Sequence, residues 1–341
     1  MDQQHSEFKN ILVIHFGQLG DVVLGLPALR AIRRHFPDSR ITAMSGTLTA
    51  AIIRLAGVAD EQLAVDRVEL RDGNRFRSVS KMLKLVGEVR RRRFDLVIDL
   101  HSLSETNLLG FLAGIPNRLY ANRKGRSLGR LCNFRPKPPL EDRGNHAATR
   151  YMDVIEPLVG ENTDPVLKLE PDSADVSEVQ KILREQGVEG ANLVGMFLGA
   201  GHPSRRWPIQ KFAELASRIG ERDGTHVLVF LGPEEIDLLP AVMSGFPSSA
   251  IILDKLQLLP LFAALTFLKV LVSNDTGPTH LAAATEASIV LITDKGAPTE
   301  FLPLTQRLTV VNSGQICDIG IDEVYEAVRS KLENDISPRS C

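Results

Sequence analysis

Short unbroken apolar runs, each followed by a turn and then by apolar residues at helical spacing, recur along this 341-residue chain. Ile11-Leu12-Val13-Ile14, Ile41 to Met44, Asp95 to Leu100, Leu193 to Leu198, His226 to Leu231, Ile251 to Leu253, Leu268 to Val272 and Ser288 to Ile292 are the runs. Segments of that length without polar alternation are expected of parallel strands covered on both faces. Helical patterns lie between them. Leu26, Leu29, Ile32 and Phe36 form one, with Pro27 near its start. Leu48 to Leu55 is a second, and Val79, Met82, Leu83, Val86 and Val89 line a third. His146 to Leu158, Ser173 to Gln186 and Ile321 to Leu332 follow, with a polar tail after the last. The alternation predicts an α/β fold with mostly parallel sheets.

A chain of this length is expected to hold two domains. The stretch from Gly160 to Pro171, with Pro165 and several acids, reads as the link. Residues 1–160 then form a first domain, 161–171 a linker and 172–341 a second. No apolar run approaches the roughly 18 residues of a membrane span, and the polar start lacks a signal-peptide core. Cys132, Cys317 and Cys341 are odd in number and far apart, with no CxxC pair, so neither a disulfide framework nor a zinc site is indicated. A cytoplasmic protein is expected. Residues 1–160 carry 25 Lys and Arg against 17 Asp and Glu, a net of +8, and the remainder 15 against 25, a net of −10. The basic half either presents ordinary solvated helix faces or meets an anionic partner or membrane surface.

Three strand-to-helix turns carry residues suited to chemistry. His15-Phe16-Gly17-Gln18-Leu19-Gly20-Asp21 places a carboxylate where a strand gives way to a helix. Asp21 there either caps the helix or serves as a general base toward a substrate hydroxyl. Gly199-Ala200-Gly201-His202-Pro203-Ser204-Arg205-Arg206-Trp207-Pro208 allows close backbone approach to a ligand and offers two guanidinium groups to phosphate. Trp207 anchors this turn in the present reading. In Ser273-Asn274-Asp275-Thr276-Gly277-Pro278-Thr279-His280, Asp275 and Thr276 can cap a helix beginning near Pro278, whose free N–H groups attract an anion. Glu234 and Glu235 follow another strand, either complementing a helix dipole or accepting from ribose hydroxyls. His101 and Ser102 follow the Asp95 run. From Asn117 to Arg143 the chain is basic, with Arg123, Lys124, Arg126, Arg130, Arg135 and Lys137; Pro136, Pro138 and Pro139 mark part of it as loop, and it reads as a mobile basic surface facing an anionic acceptor. No GxGxxG or Asp-x-Asp occurs, which disfavours an NAD oxidoreductase and removes the usual carboxylate pair for a nucleotide-sugar metal.

GxxGD, GAGxxxxRRWP and SNDTGPTHLAAA in this order, each after a strand, resemble the heptosyltransferases of glycosyltransferase family 9 over roughly residues 10–330. The resemblance implies a GT-B fold of two facing Rossmann-like domains. It implies metal-independent, inverting transfer of L-glycero-D-manno-heptose from an ADP-sugar to an acidic lipopolysaccharide inner-core acceptor, with no cofactor beyond that co-substrate. It makes Asp21 the general base. Gly201, Arg205, Glu235, Asp275, Thr276, Gly277 and His280 become donor residues, and His101, Arg123 and Lys124 become acceptor residues. The acceptor is lipid-linked, so transient contact with the cytoplasmic face of the inner membrane is expected; nucleic acid is not. Arg205 stands where the family usually has lysine, and His15 where it often has a basic residue. A nucleotide-sugar epimerase, an architecture-sharing rival, would act on the donor alone; a family 9 transferase with another sugar donor or acceptor is a second alternative.

Overall fold

The structure is a computed structural model and describes residues 8–66, 75–125, 128–160 and 167–334. Residues 161–166 of the expected linker, Arg126, the tail beyond 334 and the side chain of Val79 lie outside the described residues. The chain divides into two compact units, Met1–Leu167 and Lys168–Cys341.

The first unit runs β1 (Asn10–His15), α1 (Leu19–His35), β2 (Arg40–Gly46), α2 (Thr47–Leu55), β3 (Glu61–Val65), α3 (Arg75–Arg92), β4 (Leu96–Asp99), α4 (Ser104–Leu112), β5 (Asn117–Tyr120) and α5 (Ala147–Val159). Its sheet has the order β3-β2-β1-β4-β5, every pair parallel. Ile11, Leu12, Val13 and Ile14 of β1 are all at most 1% exposed, which explains the unbroken apolar run: both faces of the central strand are covered. Asp95 falls outside β4 because its carboxylate accepts from the N–H groups of Lys9 (2.8 Å) and Asn10 (3.1 Å), tying the starts of β1 and β4 together.

Pro27 is not near the start of its helix. α1 begins at Leu19, where Asp21 accepts from the Gln18 N–H at 3.0 Å, so Pro27 sits in the interior. The hydrogen bond a proline forfeits there is offset by burial of every residue from Val22 to Leu29. The third helix is only partly covered: Leu83 is 63% exposed rather than in the core. The basic stretch from Asn117 opens as an edge strand, and two of its arginines are held rather than loose. Arg118 donates to the carbonyls of Leu131 (2.9 Å) and Ile115 (2.6 Å), and Arg123 pairs with Glu141 at 2.9 Å.

The second unit runs α6 (Ser173–Glu185), β6 (Asn192–Phe197), α7 (Ile209–Gly220), β7 (Thr225–Phe230), α8 (Leu239–Gly245), β8 (Ile251–Leu253), α9 (Leu258–Leu265), β9 (Leu268–Asn274), α10 (Gly277–Ala282), β10 (Ser288–Asp294), β11 (Leu308–Ser313) and α11 (Ile321–Asn334). Its six parallel strands lie in the order β11-β10-β9-β6-β7-β8. Counted within the unit this is the doubly wound order 3-2-1-4-5-6, and the first unit has the same order less the last strand. In such sheets the chain leaves the first strand to one side and returns on the other, opening a crevice at the strands' carboxyl ends. That switch point falls between β1 and β4 in the first unit, and between β6 and β9 in the second.

Candidate active site

At the first switch point the turn after β1 is drawn tight. A Cβ on Gly17 would lie 2.2 Å from Cβ of Asp21 and 2.8 Å from the His15 ring, so only glycine fits. One carboxylate oxygen of Asp21 accepts from Gln18 N–H, and the other faces the Tyr151 hydroxyl of α5 at 3.4 Å. The capping reading of Asp21 therefore holds, and it leaves a half-buried carboxylate at the sheet edge. Burial and the neighbouring Asp21 push the Tyr151 phenol up, so it remains a protonated donor.

His15 lies under this group, its ring 4.7 Å from that of Tyr151 and 5.8 Å from that of His101. Its Nδ1 accepts from Gly17 N–H at 3.2 Å, and burial, then the proximity of His101 and Arg123, lowers its pKa to about 3. His15 is thus neutral, not a substitute cation for the basic residue expected there. Beside it, Asp99 is fully buried at the end of β4 and accepts from Ser102 N–H (2.6 Å), from the Thr106 hydroxyl and from the Asn107 amide (3.0 Å). Burial outweighs these bonds and lifts its carboxyl to about 6. Ser102 takes a left-handed φ of 48°, and its hydroxyl links the Asp99 carbonyl to Ala121 N–H. This network fixes the loop bearing His101, whose carbonyl accepts from Arg123. His101 and Arg123 are therefore gathered toward Asp21, whereas Lys124 is exposed on the following loop.

At the second switch point Asn274, at the end of β9, is fully buried and ties both ends of the loop after β6 to its own strand. Its amide donates to the carbonyls of Leu198 (2.9 Å) and Gly199 (3.2 Å), and its carbonyl accepts from Trp207 N–H at 3.0 Å. Trp207 is 1% exposed, donates to the Ile319 carbonyl at 3.1 Å and so anchors the turn as expected. Glu235, 5% exposed in the turn after β7, accepts from Gly232 N–H at 3.1 Å. A Cβ on Gly199 would come within 2.0 Å of its carboxylate, so these two residues share one space. Burial raises the pKa of Glu235, with the Gly232 bond and the charge of Arg206 opposing.

Gly201 is exposed, with open space about its α-carbon, and Arg205 is exposed in the short turn Pro203–Arg205. Asp275, Thr276 and Gly277 continue from Asn274 into α10; Thr276 is the cap residue, but its side chain makes no capping bond. His280 is buried within α10. The structure thus gathers Gly201, Glu235, Asp275, Thr276 and Gly277 along one sheet edge, while Arg206, not Arg205, faces Glu235. Residues missed in the sequence are Tyr151, Asp99 and Asn274; Arg206 was read there only as a partner of Arg205. A carboxylate ending an apolar run marked Asp99, and Asn274 stood within the third motif; nothing local marked Tyr151.

Two parallel sheets wound in this order, each with a glycine turn and a carboxylate at its switch point, are the architecture of the GT-B class, which nucleotide-sugar epimerases share with glycosyltransferases. The chain belongs to glycosyltransferase family 9 (heptosyltransferase), whose family model matches residues 82–324. It is similar to the structure of a glycosyl transferase family 9 protein from Veillonella parvula, at 25% identity and TM-score 0.85, over 97% of this chain and 99% of that one. The structure of Escherichia coli ADP-heptose lps heptosyltransferase II matches at 20% identity and TM-score 0.78, over 96% and 100%. Lipopolysaccharide heptosyltransferase 2 of Salmonella typhimurium is 22% identical over 88% of this chain and 87% of its own. No described helix is long and apolar enough to cross a membrane.

Proposed function

We propose that this enzyme transfers heptose from ADP-L-glycero-D-manno-heptose to an anionic, lipid-linked lipopolysaccharide inner-core acceptor, with inversion and without a metal ion. One observation carries the catalytic part: Asp21 is held at the first switch point by Gln18 N–H and faced by Tyr151, leaving a fixed carboxylate at the crevice edge. Asp21 takes the proton from an acceptor hydroxyl, and that oxygen bonds to the anomeric carbon opposite the departing diphosphate. The carbon–oxygen bond to phosphate breaks, and ADP leaves with the electron pair.

The first domain, with His101, Arg123 and Lys124, serves the acceptor. The second serves the donor: Gly201 and Gly277 give backbone access to the diphosphate, Arg205 and Arg206 balance its charge, Glu235 meets the ribose, and Asp275, Thr276 and His280 border the sugar. Fixed donors placed where leaving-group charge develops are effective because they need no reorganisation. The reaction takes place in the cytoplasm, peripherally at the inner membrane. The test is ADP release from ADP-heptose with and without deacylated inner-core acceptor, in EDTA. Acceptor-dependent release at full rate supports the reading. Release that ignores the acceptor, or stops in EDTA, overturns the transfer or its metal independence respectively.

A further inference from the structure

The side of α4 away from the core is apolar. Thr106, Asn107, Leu109 and Gly110 face inward, yet Leu108, Phe111 and Leu112, at positions i, i+3 and i+4, are 41%, 48% and 48% exposed. Leu128, also exposed at 40%, opens the segment that returns onto α4, its N–H donating to the buried Asn107 side chain at 3.1 Å. Single exposed leucines are ordinary, but a contiguous group of this kind marks a contact surface. Cations accompany it. The Arg118 guanidinium is held 5.6 Å above the Phe111 ring by its bonds to the carbonyls of Leu131 and Ile115, and exposed Arg130 lies in the turn Gly129–Leu131 that packs on α4. Glu105 is the acid on this face of the helix.

We infer that this face of α4 docks the enzyme on an anionic lipid bilayer. Apolar side chains flanked by arginines, on a half of the chain with a net charge of +8, suit the boundary between acyl chains and anionic headgroups. Nine residues are far short of the roughly 20 that span a bilayer, so the contact is peripheral and reversible. The inference deepens the proposed function and rests on its lipid-linked acceptor for the identity of the partner; the binding itself needs no turnover.

The test is co-sedimentation of the full chain with vesicles rich in phosphatidylglycerol and with vesicles of phosphatidylcholine alone, for the native protein and the double variant Phe111→Ser/Leu112→Ser. Both variant positions are exposed, and unchanged thermal melting verifies the fold. The native protein should bind the anionic vesicles more tightly, lose affinity as salt rises, and bind roughly tenfold more tightly than the double variant. The variant should release ADP with the soluble deacylated acceptor at the native rate. Equal binding by native and variant, or no native binding to anionic vesicles, overturns the inference. So does a native dimer that the variant converts to monomer, which would assign the face to a second copy. Loss of the variant's activity on the soluble acceptor also overturns it, by placing the face in the catalytic machinery. Absence of transfer by the native enzyme alongside intact vesicle binding would instead sink the proposed function alone.

Discussion

Asp21 does two jobs that a single substitution separates. Its carboxylate caps α1 through Gln18 N–H, and it is the proposed base. Asp21→Asn keeps an oxygen for the cap but removes the basicity, so turnover should fall by about 10²–10⁴-fold, the usual worth of a general base, while ADP-heptose binding and melting persist. Isothermal titration beside the ADP-release assay checks this; joint loss of binding and activity would leave only the structural role. Asp21, Glu235 and the Asp275–Gly277 turn were legible because polar and small residues interrupt apolar runs at strand ends. Tyr151 was not. It meets Asp21 across 130 residues of chain, and nothing in its own helix distinguishes it from a core aromatic. Arg205 and Arg206 could not be told apart either, since which of two adjacent residues turns inward is decided by the loop path.

Among the elements, central strands were read correctly, and of the four edge strands only β8, whose three residues are all apolar, was. β3, β5 and β11, each at the edge of its sheet, have partly exposed faces and so lack the unbroken apolar run that identified β1 or β9. Helix ends are similarly governed by backbone geometry that composition hides. Arg93, just beyond α3, takes a left-handed φ of 52° and is exposed, whereas Ser102 takes φ 48° but is fully buried in the Asp99 network. Arg93→Gly should stabilise the protein by about 1 kcal/mol, because glycine is spared the Cβ clash of that conformation. Ser102→Gly should destabilise despite the same relief, since a buried Ala121 N–H left unpaired costs about 1–3 kcal/mol. Urea denaturation of the pair decides the matter, and a common direction of change would contradict it.

The whole molecule carries two buried groups whose pH responses oppose. Between pH 3.8 and about 6 folded Asp99 holds a proton that the unfolded chain has released, so its effect is to lower stability as pH rises. Between about 3 and 6.5 folded His15 lacks a proton that the unfolded chain binds, so its effect is to raise stability as pH rises. Each slope is about 1.4 kcal/mol per pH unit where fully developed, and they largely cancel from about pH 4 to 6. His15→Asn should therefore expose a fall in unfolding free energy over that range, and Asp99→Asn a rise. Denaturation midpoints across a pH series would show it; two variants that both kept the native profile would refute the assignment.

Gly199 and Gly201 stand two residues apart in one loop, yet a catalogue of tolerated substitutions would treat them as the same kind of position for different reasons. Any side chain at 199 collides with Glu235 within the fold itself, so selection for abundance alone already forbids it. The space around Gly201 is open, so the fold alone does not forbid a side chain there, and the proposed donor role is what intolerance would report. An invariant glycine in this loop is thus not by itself a mark of ligand contact: one records folding, and the other is free to record chemistry.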